Sequence, residues 1–286
     1  MVDYQQRFLT RQGHRLGYHR YPSDADLAVV VLPAMGVPAG YYRRFALELA
    51  ATGADITVAD LRGTGSSTPR PTRAIDFGYA ELLDDVGELF ARVGAELGGR
   101  RTLLIGHSLG GQLATLHLAQ IARIGTPGPL PVTALALIAC GLPYHGLYGI
   151  RGPVIHALST IMNVVSSVRG HWPGYGFGGR QPRRLIRDWS RTIHRGTFVP
   201  LDGVDPGTDL ERITQPVLAV TVDTDGLTPP ATSRRLTDLL TGTSVTEYHY
   251  TAQEAGRRLD HFTWAQASAP LAPRIRAFVD ALPAAR

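Results

Sequence analysis

The chain has 286 residues, 44% of them hydrophobic, a net charge of +5 and one cysteine, Cys140. That is enough apolar material for one large core, with or without a small appended element. It excludes an internal disulfide, a lysine-based Schiff base (all 29 basic residues are arginine) and a membrane-spanning helix, since no apolar run approaches roughly 18–20 residues. The opening Met1–Arg7 has no apolar segment of signal-peptide type, and with the lone thiol this points to a reduced, cytoplasmic setting.

The first elements read as a hairpin: Tyr4–Thr10 and His14–His19 alternate on either side of Arg11-Gln12-Gly13. Strand-type and helix-type segments then take turns. Leu27–Leu32 is a continuous apolar strand and Tyr41–Ala51 a helix. Ile56–Ala59 is a strand, Tyr79–Leu97 a long amphipathic helix, Thr102–Ile105 a strand, Gln112–Ala122 a helix and Val132–Ala139 a strand. Strands that are apolar on both faces and separated by helices imply a mostly parallel sheet covered on both sides. The alternation stops at Gly141. Residues 141–208 are rich in glycine and proline and hold two helical stretches, Pro153–Val168 and Gln181–Arg195. It resumes with the strand Pro216–Val222, the helix Ala231–Leu240, the strand Val245–Tyr250 and the helix Pro270–Leu282. The expected organisation is a catalytic domain of residues 1–140 and 209–286, with residues 141–208 inserted as a helical cap over the strand C-terminal ends, where open α/β sheets bind ligands.

One stretch carries chemistry. Gly106-His107-Ser108-Leu109-Gly110-Gly111 sits between the strand Thr102–Ile105 and the helix that follows. A Gly-x-Ser-x-Gly turn in that setting is a nucleophile elbow: the glycines remove side chains that would clash at a sharp bend, and the helix N-terminus faces the serine. Ser108 is therefore the expected nucleophile. A serine hydroxyl needs a base, and the base an acid to orient it. His261 follows the last strand and Asp225 the strand before it, both in loops at the sheet edge that carries Ser108. Asp223 is the alternative acid, two residues away. His249 is a rival base, but it falls inside a predicted strand. His107, next to the serine, is expected to pack against the turn. The histidines show no metal-ligand spacing, so neither a metal nor another cofactor is expected.

With the elbow, the Ser, Asp, His order and the turn Asp60-Leu61-Arg62-Gly63-Thr64-Gly65-Ser66-Ser67, the chain resembles the α/β-hydrolase superfamily. It is similar in particular to its serine aminopeptidase-like and monoacylglycerol lipase-like branch. Phe177-Gly178-Gly179-Arg180 with Asp188-Trp189 looks like the caps of a bacterial group there. The resemblance implies an α/β-hydrolase fold: a mostly parallel sheet with an N-terminal antiparallel hairpin, helices on both faces and an inserted cap. It also implies a mostly structural role for Asp60–Ser67 and an oxyanion hole. The family has a His-Gly pair after the third strand. Here Leu32-Pro33-Ala34-Met35 stands in its place, so the donors implied are the Met35 and Leu109 amides, worth about 3–4 kcal/mol each in the transition state.

The cap holds the whole net charge: Arg151, Arg169, Arg180, Arg183, Arg184, Arg187, Arg191 and Arg195 against Asp188, Asp202 and Asp205. On Gln181–Arg195, Leu185, Trp189 and Ile193 form an apolar stripe with arginines on much of the rest, which fits a solvated cap helix. The sharper expectation is that Arg184, Arg187 and Trp189 contact substrate, the arginines through an anionic group such as the phosphates of an acyl-thioester carrier. Leu158, Ile161, Met162, Val165 and Val168 form a second stripe, expected to pack on the domain beneath or to line an acyl pocket. Gly174–Gly179 follows no strand and lacks a Lys-Ser/Thr pair, so a cap loop is favoured over a phosphate loop. The expected function is a serine hydrolase acting on a small acyl substrate, an ester first, a thioester next and an amide last. The alternatives are an acyltransferase on the same residues and an inactive hydrolase-fold binding protein. A charge confined to one segment argues against nucleic acid as a partner, and the oligomeric state stays open.

Overall fold

Every residue of Leu27–Leu32 is buried, and its side chains alternate between two cores. Val30 and Leu32 face one and Val29 and Val31 the other. That explains the unbroken apolar run: this strand lies in the middle of a sheet with no solvated face. The computed structural model describes residues 4–283 apart from Gln12, Pro127 and Asp202. Met1–Asp3, Gln12 of the expected turn and Asp202 of the charge count thus lie outside the described residues.

In chain order, β1 (Gln5–Arg11) and β2 (His14–Tyr21) form the expected antiparallel hairpin. β3 (Leu27–Leu32), a 3-10 turn (Ala39–Tyr42) and α1 (Arg43–Ala51) follow, then β4 (Ala54–Ala59), α2 (Tyr79–Leu97), β5 (Arg101–His107), α3 (Leu109–Ile124) and β6 (Ala134–Ile138). The segment after β6 holds a 3-10 turn (His145–Arg151), α4 (Gly152–Arg169), the two-residue strands β7 (His171–Trp172) and β8 (Gln181–Pro182), α5 (Arg183–Arg195) and α6 (Gly207–Leu210). The chain ends with β9 (Val217–Val222), α7 (Pro230–Thr237), β10 (Val245–Tyr250), α8 (Ala252–Ala255), a 3-10 turn (Thr263–Gln266) and α9 (Leu271–Asp280). The large sheet runs β1-β2-β4-β3-β5-β6-β9-β10, and its six strands from β4 to β10 are parallel. The α2 and α3 side chains fill one core, those of α1 and α9 the other. Strand order reverses between β3 and β5, so the loops leaving their C-terminal ends diverge around a crevice.

Three local expectations change. Gln181 and Pro182 pair as β8 with His171 and Trp172, so the following helix begins only at Arg183. α7 ends at Thr237, where residues 238–240 turn away. The third concerns α4, whose apolar stripe does not as a whole pack on the domain beneath, although its Leu158, Ile161 and Met162 do line a cavity. Its buried positions include Ser159, Met162 and Ser166, while Val154, Leu158, Ile161, Val164 and Val168 are each more than half exposed. Periodicity locates a stripe on a helix but does not say which way it faces. Here α5 decides it: His194 Nε2 lies 3.1 Å from the Ser159 hydroxyl and 3.2 Å from that of Thr160, which turns this polar side of α4 inward.

Candidate active site

The bend between β5 and α3 is built main chain against main chain. Ser108 has φ 52° and ψ −118°, a positive-φ conformation that costs about 1–3 kcal/mol in a non-glycine residue. Its amide donates to the Ile138 carbonyl of β6 at 3.2 Å, and its carbonyl accepts the Gly111 and Gln112 amides that start α3. A Cβ on Gly106 would lie 2.2 Å from Gly111 Cα, one on Gly110 2.1 Å from the Leu32 carbonyl oxygen, and one on Gly111 2.4 Å from Cys140 Sγ. The glycine spacing is therefore a packing requirement of β3, β5 and β6 around the turn. Cys140 is buried, and burial pushes its thiol far above the ordinary range, which fits a packing residue.

The loops after β9 and β10 bring Asp225 and His261 together. His261 Nδ1 lies 2.9 Å from Asp225 Oδ2, and the two side chains are 5% and 1% exposed. The other carboxylate oxygen accepts the Leu227 and Thr228 amides at 2.8 and 2.9 Å, and the Thr228 hydroxyl donates to Oδ2. Burial alone would raise the Asp225 carboxyl, but the hydrogen bond and charge of His261 and the Thr228 contacts outweigh it and hold the group below the usual carboxylate range. Thr224, at φ 54°, donates its hydroxyl to the Leu259 carbonyl and so ties the two loops together. Asp223 lies elsewhere: it faces His249 Nε2 at 2.9 Å and accepts the Ala252 amide. That pair is partly exposed, and His249 borders a hollow of about 510 Å³ that shares no lining residue with the Ser108 cavity.

His107 is fully buried and connects both sides of the site. Its Nδ1 is 2.7 Å from the Tyr42 hydroxyl and its Nε2 2.8 Å from the His261 carbonyl oxygen. A carbonyl can only accept, so the proton is assigned to Nε2, and Nδ1 accepts from Tyr42. The Trp264 indole N–H is also directed at this Nε2, 3.3 Å away across perpendicular rings. The Tyr42 hydroxyl in turn accepts the Ala34 amide at 2.9 Å. A continuous buried chain thus runs from the loop after β3, through Tyr42 and His107, to the backbone of His261. Burial, and then the neighbouring His261, hold the His107 imidazole neutral, well below its ordinary value.

Ser108, His261, Met35 and Leu109 all line one cavity of about 440 Å³. Among the described residues no hydrogen bond occupies the Met35 or Leu109 amide, and none joins Ser108 to His261. Pro33-Ala34 therefore leaves a free amide where the family's His-Gly loop has one. The Asp60 turn is structural: its carboxylate accepts the Ala39 and Ser66 amides, and Gly65 packs against it. Of the expected substrate contacts, only Trp189 lines the cavity, stacked 5.3 Å from Phe177. Arg184 is bound to Glu81 of α2 and Arg187 to Asp188, and neither reaches it. The arginine that does is Arg151, which has no ion pair among the described residues. The Gly174–Gly179 loop brings Tyr175 and Phe177 to the wall. It is held down by Gly36, which meets Gly178 backbone to backbone, and by the Trp172 indole donating to the Phe177 carbonyl. Sequence reasoning missed Tyr42, Thr224, Thr228, Arg151 and Trp264. None lies in a motif: Tyr42, Arg151 and Trp264 come from distant chain segments, while Thr224 and Thr228 flank Asp225 in its own loop. Among the described residues no group of three or more His, Cys, Asp or Glu side chains could hold a metal ion, and no helix is long and apolar enough to cross a membrane.

Several solved structures share the architecture. The thioesterase domain from the curacin biosynthetic pathway is 19% identical, with a TM-score of 0.61 over 96% of this chain and 99% of that one. Alpha/beta hydrolase domain-containing protein 10 from mouse is 19% identical, with a TM-score of 0.64 over 98% and 100%. A putative hydrolase from Agrobacterium vitis S4 is 15% identical, with a TM-score of 0.67 over 98% and 99%. At these identities the likeness is one of fold. No curated protein matches the sequence at a significant level. The serine aminopeptidase S33 family matches residues 23–189, more than half of the chain, and the protein belongs to that family, within the α/β-hydrolases.

Proposed function

We propose that the protein is a serine hydrolase that cleaves a carboxylic ester or thioester of a small acyl substrate through an acyl-enzyme. Residues 1–140 and 209–286 form its catalytic domain and residues 141–208 its cap. The observation that carries this reading is the buried Asp225–His261 pair opening on the same cavity as the strained Ser108. Ser108 Oγ attacks the acyl carbonyl while His261 takes its proton, and the Asp225 carboxylate stabilises the imidazolium. The oxyanion accepts the Met35 and Leu109 amides, aided by the positive end of α3. Collapse expels the alcohol or thiol, which takes its proton from His261. Water then repeats the sequence on the acyl-enzyme and releases the acid. The cavity wall of Met162, Trp172, Phe177, Trp189 and Ile193 suits an apolar acyl chain.

An acyltransferase would use the same groups with an acceptor other than water. A second reading, a thioester or ester with an anionic carrier portion, is favoured by Arg151, a cation on the cavity wall with no ion pair among the described residues. The lone buried thiol agrees with a cytoplasmic setting. Labelling with a fluorophosphonate probe tests the main reading. Wild type is expected to label and Ser108→Ala to lose labelling. An unlabelled wild type, or undiminished labelling of the variant, would point instead to a binding protein on this fold.

A further inference from the structure

The outer face of α4 is inverted relative to a helix that ends at water. Val154, Leu158, Ile161, Val164 and Val168 project outward, and Ile150, two residues before the helix, is 99% exposed. A helix of 18 residues spans roughly 27 Å, so this is an elongated apolar strip, of the kind that marks an interaction site on a monomer. Its electrostatic surroundings are one-sided. No acidic residue occurs anywhere between Cys140 and Asp188. Arg151 stands at the start of α4 and Arg169 at its end, Arg73 donates to the Val168 carbonyl there, and Arg180 acts on His171 alongside Arg169. Among the described residues Arg151, Arg169 and Arg180 have no carboxylate partner. Tyr175, two-thirds exposed, accepts a hydrogen bond from Arg169 beside the strip, with an apolar ring and a polar tip.

We infer that α4 and its arginine rim form a docking surface for an anionic lipid bilayer, on which the helix lies in the plane of the interface. An apolar face flanked by arginines and free of carboxylates is the pattern of an interfacial helix, and the cations select lipid headgroups of negative charge. A second copy of this chain would bring the same positive rim against itself, which disfavours the face as a dimer contact. The strip is also continuous with the cavity: Leu158, Ile161 and Tyr175 belong to both. Docking therefore sets the cavity wall against the acyl region of the bilayer.

Vesicle co-sedimentation tests this without relying on catalysis. Wild type and Ser108→Ala are compared on phosphatidylcholine vesicles with and without one-third phosphatidylglycerol. Both proteins are expected to bind the anionic vesicles and to be released by high salt. Val154→Gln/Val164→Gln/Val168→Gln, none of which lines the cavity, is expected to lower the partition coefficient by about tenfold or more. Arg169→Gln/Arg180→Gln should reduce the preference for anionic over neutral vesicles. Fluorophosphonate labelling of the valine variant at the wild-type rate shows that it is folded. Absence of vesicle binding, binding that the valine variant keeps, or a wild-type dimer that the same valine changes dissociate would each overturn the inference. Because Ser108→Ala is expected to bind, loss of the hydrolase reading leaves this result standing.

Discussion

Replacing His107 with phenylalanine separates two consequences of its burial. The ring is of similar size, but both hydrogen bonds disappear, leaving the Tyr42 hydroxyl without its acceptor and the His261 carbonyl without its donor. Two buried groups stranded at about 1–3 kcal/mol each cost roughly 2–6 kcal/mol at about pH 8. The second consequence is in the pH dependence. The folded-state pKa lies well below the ordinary 6.5 because burial disfavours the cation. Above about pH 6.5 neither state binds the proton and the stabilisation is complete. As the pH falls toward the folded-state value, the unfolded chain takes up a proton that the folded protein refuses, and stability drains away. Between about pH 8 and pH 5.5 an ordinary histidine goes from neutral to about ten-elevenths protonated, worth about 1.4 kcal/mol if the folded imidazole stays neutral. His117, pushed down to about 4 by burial, contributes its own loss to wild type and variant alike, so the quantity of interest is the difference. Urea unfolding at the two pH values should show wild type losing about 1.4 kcal/mol more than His107→Phe. An equal loss in both proteins would refute the assignment of His107 as a buried neutral base. The variant should also lose about tenfold or more in kcat with a smaller change in KM, because His261 is no longer held from behind.

Asp225→Asn is expected to lower kcat by about 10⁴-fold, through the wrong His261 tautomer and an unsupported imidazolium, while Asp223→Asn stays within about twofold of wild type. Steady-state hydrolysis of an activated ester checks both, and similar losses in the two variants would contradict the separation of the Asp223–His249 pair from the site. Arg151→Gln is expected to reduce kcat/KM for an acyl-CoA by about tenfold more than for a neutral ester of the same chain length. Equal losses for the two substrates would remove Arg151 as an anion contact.

The sequence made the centre of the sheet legible because the strands there are buried on both faces, and Leu27–Leu32 begins and ends where its apolar run does. The edge strand Val245–Tyr250, of which only Tyr250 is buried, was legible from its own bounds instead. The elbow was legible for the same local reason, since strand, glycines and helix are consecutive. What escaped is non-local. The direction in which α4 faces depends on His194, thirty-five residues beyond Ser159. The choice between Asp223 and Asp225 depends on which loop His261 approaches, and a spacing of two residues says nothing about that. Arg184 and Arg187 have the charge to hold an anion, but they are already committed to Glu81 and Asp188. Tyr42 reaches His107 across 65 positions of sequence.

The glycines at the elbow have an evolutionary consequence. At positions 106, 110 and 111 a single methyl group would meet main chain or the Cys140 sulfur, so this part of the gene has almost no neutral neighbours. The aromatic wall opposite is contributed mostly by another stretch of chain, residues 143–193, where rings such as Phe177 and Trp189 meet side chain to side chain and can be exchanged more freely. Reaction and selectivity are thus inherited on separate terms. Divergence among relatives is free to retune what enters the cavity while the turn that carries Ser108 stays fixed.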